Sequence, residues 1–239
     1  MSTADKLLTI AENIPKIFNA GYEKGKSEGG GGMTMANYAS DIQFTSDDWA
    51  TSDTVVLDMP NLFTMDTTFS NMNFHKIKHL TINSDTPIAN CLYAFRGIND
   101  GTQCILETVV LNVDTSITTN WNNMFFRKVS LKRVEGTPLN FSGATAISPF
   151  AYTYNVEHFR VAPNSIKIKA DFGHCTMLDD DTIDSIVNGL FNLTGATAQT
   201  LTLNKAVKAR LEADDAKEDT DSEKRNWISR ITGKNWNIA

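Results

Sequence analysis

The sequence predicts an α/β chain in three parts: an N-terminal helix forming a short coiled coil, a parallel β-solenoid body, and a C-terminal α/β cap. Three observations carry this. The phrase Ile77–Asn83 (IKHLTIN) places apolar residues at Ile77, Leu80 and Ile82, and Leu106, Val109 and Leu111 repeat it. Weaker echoes are Leu131, Val134 and Gly136; Val156, Phe159 and Val161; and, upstream, Thr54, Leu57 and Met59. The central anchors Leu57, Leu80, Val109, Val134 and Phe159 are separated by 23, 29, 25 and 25 residues. Second, a phenylalanine follows every anchor, Phe69, Phe95, Phe125, Phe150 and Phe172, at +12, +15, +16, +16 and +13. Third, a glycine run, Gly29 to Gly32, divides this body from a preceding helical pattern. Paired recurrences of strand anchor and core aromatic are the mark of stacked repeats, each too small to bury its apolar face alone.

Residues 1–28 form the helical segment. Leu7, Ile10, Ile14, Ile17 and Gly21 fall at spacings of 3, 4, 3 and 4, the seam of a helix that faces another helix. Ser2 or Thr3 caps the start, with Asp5 in the first turn. Pro15 either kinks the helix or opens a second one. A seam of about two heptads is marginal alone, so the segment reads as an oligomer handle, a plug into a partner, or a helix packed on its own body. Residues 29–39 are a Gly-rich linker, because consecutive glycines uncouple what flanks them.

The body spans residues 40–178. Each repeat contributes a strand of a few residues, paired in parallel with its neighbours, and the unit length fits the roughly 20 to 29 residues of leucine-rich repeats. Residues between the inward anchors face outward: Val56 and Asp58; His79, Thr81 and Asn83; Thr108, Val110 and Asn112; Arg133 and Glu135; His158 and Arg160. His79, Thr81, Asn83, Thr108, Asn112, Arg133, Glu135, His158 and Arg160 are therefore the candidate ligand surface, against the plainer reading of a solvated sheet face. Residues 179–239 read as the α/β cap that a solenoid end requires. Asp179–Asp181 caps a helix carrying Ile183, Ile186, Val187, Leu190 and Leu193, ended by Gly195. A strand over Gln199–Leu203, a helix over Ala206–Ala216, a short helix at Trp227–Ile231 stopped by Gly233, and an edge strand at Asn235–Ile238 follow.

Composition narrows the function. The net charge of −6, with no basic block, argues against nucleic-acid partners. No run approaches a membrane span and no basic-apolar leader opens the chain, so cytoplasmic synthesis without membrane insertion is expected. The cysteines Cys91, Cys104 and Cys175 read as free thiols. The histidines His75, His79, His158 and His174 lie in no metal or catalytic frame, adjacent His174 and Cys175 would face opposite sides of a strand, and no phosphate-cradling glycine motif occurs. No catalytic, metal or cofactor residue is assigned.

Three stretches resemble known families. The body, through IKHLTIN, LETVVLNVD and VEHFRVAPNSI, resembles the divergent BspA-like leucine-rich repeats of bacterial surface and phage-encoded proteins. The family's ninth-position Asn is matched by Asn164, with Leu62, Asp85, Asp114 and Leu139 at the equivalent places. The end, from LDDDTIDSIVNGLFNL through ITGKNWNIA, resembles the closing unit after such repeats in Firmicutes and their phages, and KLLTIAENIPKIFNAGYEKGK is similar to the helical start of phage tail and baseplate-associated proteins. The resemblance implies a non-enzymatic virion component of a tail tip or baseplate. It would be a homotrimer contacting other tail proteins and presenting its body to a host-envelope glycan or protein, or serving as structural decoration. The alternatives are a bacterial repeat protein used for interaction and an envelope-polysaccharide-degrading enzyme.

Overall fold

The computed structural model describes residues 32–34 (backbone), 44, 46–48, 50–70, 72, 74–97 and 104–239. The seam Leu7, Ile10, Ile14, Ile17 and Gly21, its coiled coil, and most of the linker lie outside the described residues.

Alternation of apolar and polar residues makes the strands. β1 (Gly32–Thr34), β2 (Thr54–Asp58), β3 (His79–Asn83), β4 (Thr108–Asn112), β5 (Arg133–Leu139) and β6 (His158–Val161) form one parallel sheet in chain order. In β3 and β4, Leu80, Ile82, Val109 and Leu111 are buried while the residues between them are half-buried or exposed. β1 falls inside the segment read as linker. An uncovered edge of β2 would present unpaired amides and carbonyls, and Gly32–Thr34 satisfies them by pairing with Val56–Asp58. The first repeat also differs from the sequence reading. Val55, not Leu57, pairs with Leu80, and Leu57 pairs with Ile82, while Thr54 is exposed beside His79. Val55, Leu57 and Met59 alternate, so a shift of two residues keeps every apolar side chain inward, and alternation alone does not choose between the two registers.

Behind the sheet, Phe44, Phe69, Phe95, Phe125 and Phe150 stack face to face at 4.9, 4.9, 5.0 and 5.4 Å, with interplanar angles between 8° and 14°. Each coil contributes one ring, and Phe69, Phe95, Phe125 and Phe150 are fully buried. Phe44 is a member the repeat pattern did not reveal. Phe172, expected to extend the series, lies instead in β7 (Ala170–Phe172) and meets Phe150 at 6.5 Å and 43°. β7 pairs with the cap, so its backbone follows a different path.

At the residue preceding each strand a second pattern runs across the coils. Asp53, Lys78, Glu107, Lys132 and Glu157 are consecutive backbone partners, and Glu107 lies 3.6 Å from both Lys78 and Lys132. Regularity breaks at Gly136, where β5 bulges between Val134 and Leu139. Gly136 has φ +91°, and a Cβ there would lie 2.5 Å from the Leu111 carbonyl oxygen, so only glycine fits.

The cap continues the coils. Isolated parallel bridges Asn120–Ala146 and Ile147–Ala170 lead into a second parallel sheet, β7–β8–β9, with β8 at Gln199–Leu203 and β9 at Trp236–Ile238. On the first sheet, helix α1 (Asp180–Gly189) takes the place of a further strand. Asp179 caps it by accepting from the Thr182 amide. The helix ends at Gly189 rather than Gly195, because Leu190 turns extended and bridges Ile166. Gly189 lets the helix approach β6: a Cβ there would stand 2.5 Å from Val161 Cγ1. Helices α2 (Lys205–Asp215) and α3 (Trp227–Gly233) complete the cap. The left-handed residue after α3 is Asn235, φ 63°, in place of Gly233.

An open β6 edge would strand its amides. The hydroxyls of Thr182 and Ser185 on α1 accept from the Phe159 amide at 3.1 Å and the Val161 amide at 2.7 Å. Thr182→Val keeps the volume and deletes one acceptor, leaving a buried amide unpaired. We expect a loss of about 1–3 kcal/mol, read as a lower urea midpoint at unchanged slope, with Thr182→Ser nearly neutral. A neutral Thr182→Val would show that α1 caps β6 by packing alone.

Candidate binding surfaces

The outward residues assemble as rows on the first sheet. His79, Thr108, Arg133 and His158 are successive register partners, as are Thr81, Val110 and Glu135, and Asn83 and Asn112. All the candidate ligand-surface residues therefore share one face, Arg160 standing beyond the bulge. Much of this face is bound to itself. Asn112 donates to Asn83 at 2.8 Å, and Asn83 donates to Asp58 at 2.5 Å. This side-chain row runs at the strand ends, away from the ninth-position Asn of the resemblance. Arg133 pairs with Glu135 at 2.6 Å, Arg160 donates to the Gly136 carbonyl, and His158 Nδ1 lies 2.8 Å from Asp179. Burial works to raise the Asp179 pKa, but hydrogen bonds from Thr182 and His158 outweigh it and hold the carboxyl below its ordinary value. His79, Thr81 and Thr108 remain as half-buried members of the face.

A second surface lies beyond the phenylalanine stack, where each coil bends. Arg96 and Phe126 directly follow Phe95 and Phe125, while Arg127, Tyr152 and His174 stand two residues after Phe125, Phe150 and Phe172. The Arg96 guanidinium lies 5.1 Å from the Tyr93 ring centre and 6.0 Å from that of Phe126. Arg127 lies 5.1 Å from Phe126 and 5.8 Å from Tyr152. Phe126 meets Tyr152 edge-on at 5.3 Å, and Tyr152 meets His174 at 4.8 Å. Tyr154, 42% exposed, flanks His174 at 5.8 Å. The result is a ridge of alternating cations and rings crossing several coils. Sequence reading by strand anchors missed it, because its residues lie in the bends. The usable signal was their near-constant offset from the stacked phenylalanines.

The other notable charged clusters are structural. Asp184 accepts from Arg225 at 2.5 Å, Arg230 at 2.7 Å and Trp227 Nε1 at 3.0 Å. Burial would raise its pKa, but the bonds from Arg230, Trp227 and Arg225 outweigh it and hold the carboxyl low. Asp215 caps α3 from outside, accepting from the Ile228 and Ser229 amides. His75 lies between Asp47, at 2.6 Å, and Asp48, at 3.1 Å, while the other Asp47 oxygen accepts from the Lys76 and Ile77 amides. This cluster ties the N-terminal loop to the coil that carries β3. Cys91 and Cys175 are buried thiols, their pKa values raised by burial, that of Cys91 to about 12. Cys104 is half-buried and accepts from Ser130 Oγ. Among the described residues no group of three or more His, Cys, Asp or Glu is placed to hold a metal ion, and no helix is long and apolar enough to cross a membrane.

The fold is thus a parallel β-solenoid closed by an α/β cap. In comparisons with protein-family models, curated proteins and solved structures, the chain matches none.

Proposed function

We propose that the protein is a non-enzymatic virion component of a phage tail tip or baseplate. In this reading residues 1–28 join three copies or dock them to other tail proteins, and the solenoid presents its surface to the host envelope. The observation that supports it most is the union of a parallel solenoid with a heptad-like segment set off by consecutive glycines. A solenoid gives an extended surface and each coil is held by its neighbours, which suits display. A glycine spacer gives that display reach.

The test is light scattering after size exclusion on the full chain and on a chain beginning at Met33. A trimeric full chain and a monomeric shorter chain are the expected result. Two monomers would remove the assembly argument and favour a repeat protein used for interaction in a bacterial cell. Two trimers would put the interface in the body and overturn the division of labour.

A further inference from the structure

The geometry points to the ridge formed by Tyr93, Arg96, Phe126, Arg127, Tyr152 and His174 as a binding site for an acidic polysaccharide whose charges are carboxylates. This rests on the display reading above and deepens it by naming the surface and the ligand class. Three independent observations carry it.

The first is charge. Arg96 and Arg127 are exposed, and among the described residues neither pairs with a carboxylate. Their guanidinium carbons lie 5.1–6.0 Å from the ring centres of Tyr93, Phe126 and Tyr152. Ring contacts restrain a guanidinium without consuming its N–H donors, which suits it to carboxylate recognition.

The second is ring placement. Phe126 and His174 are half-buried, Tyr152 is 46% exposed, and successive coils lie a strand spacing of about 4.8 Å apart. A pyranose ring covers one aromatic face and advances by about one coil. The backbone at these bends is already paired between coils, as Gly97 donates to the Phe126 carbonyl and Arg127 to the Ala151 carbonyl. An extended peptide therefore has no free strand edge to join here, which disfavours an acidic peptide as the occupant.

The third is backbone conformation. Tyr93, Arg127 and Tyr152 have φ of 54°, 58° and 57°. The bends impose this region, since Thr67 and Asn123 adopt it at the positions equivalent to Tyr93. Glycine or asparagine would satisfy it without strain. Arg127 and Tyr152 are held there and left exposed, with Tyr93 half-buried beside them, and such strain gathers where a side chain has a task outside the fold.

The experiment is calorimetric titration of the full chain with oligogalacturonate, with neutral oligogalactose of equal length, and with poly-L-glutamate. We expect measurable binding of oligogalacturonate alone, weakening with salt. The double variant Arg96→Gln with Arg127→Asn, and separately Tyr152→Gly, should each weaken it about tenfold or more with unchanged thermal unfolding. Equal binding of the neutral sugar, equal binding of poly-L-glutamate, no binding of any probe, or full binding by both variants would each overturn the proposal. The scattering experiment on residues 1–32 is indifferent to Arg96 and Arg127, so the tail reading and the ridge can fail separately.

Discussion

Phe125→Ala is expected to cost about 3–5 kcal/mol of stability, the range for deleting a fully buried aromatic side chain. Phe125 stands inside the stack with Phe95 at 5.0 Å on one side and Phe150 at 5.4 Å on the other. The variant opens a gap between two coils and interrupts the column of rings that runs from Phe44 to Phe150. Because a solenoid is held chiefly by contacts between neighbouring coils, the lesion should also loosen cooperativity. Urea unfolding followed by far-UV circular dichroism and by tryptophan fluorescence should give coincident curves for the parent and separated ones for the variant.

Lys128→Met is expected to stabilise the protein. Lys128 is 1% exposed, its ammonium donates to the Met72 carbonyl at 2.8 Å, and it lies 4.5 Å from the Phe74 ring centre. Burial pulls its pKa from the ordinary 10.5 down to about 8, against weaker opposing fields from Cys104 and Asp47. That gap corresponds to a burial cost of about 3 kcal/mol below pH 8. Methionine removes the charge and keeps the unbranched stem, so a gain of about 1–3 kcal/mol at pH 7 follows once the lost hydrogen bond is subtracted. The sign with pH is definite. Between pH 8 and 10.5 the unfolded chain holds the Lys128 proton and the folded chain has released it, so the parent gains stability as pH rises and its deficit against the variant closes. The buried thiols work in the opposite direction above about pH 9, since they ionise more readily when unfolded, but they are common to both proteins and cancel in the difference. A difference independent of pH would show that Lys128 keeps its proton in the folded chain up to its ordinary pKa, so that burial costs the charge little. Among the described residues nothing explains why lysine stands there.

Much of this fold can be read from the sequence, for reasons that differ by element. The inward positions of β3 and β4 are legible because Leu80, Ile82, Val109 and Leu111 alternate strictly with polar residues. The start of α1 is legible because Asp179 is followed three residues later by the amide it caps. The register of β2 was not, since its alternation is satisfied equally after a two-residue shift, and only the length of the following bend distinguishes the two pairings. Phe44 escaped because the strand before it, Gly32–Thr34, lies in a glycine-rich stretch without the alternating apolar pattern that marks the other strands. Phe172 misled because its distance from Phe159 resembles the repeat offset, yet the chain has by then entered the second sheet. The candidate ligand face was assembled correctly as a face, whereas the internal bonding of Asn83, Asn112, Arg133 and His158 depends on distances between coils. The ridge at Arg96, Arg127 and Tyr152 lies where strand-centred patterns do not look.

The alternating row Asp53, Lys78, Glu107, Lys132 and Glu157 has a bearing on assembly errors. Every coil of this body offers its neighbours nearly the same surface, an alternating strand and a phenylalanine, so a coil could stack on the wrong mate almost as well as on the right one. Charge makes the distinction. If the coil of Glu107 were skipped in the stack, Lys78 would face Lys132, and if that of Lys132 were skipped, Glu107 would face Glu157; like charges directly opposed on adjacent strands are unfavourable. The sequential order sets each acid against a base, and skipping a single coil does not. The row therefore works as a parity check on coil order, rejecting any stack from which a single coil is skipped.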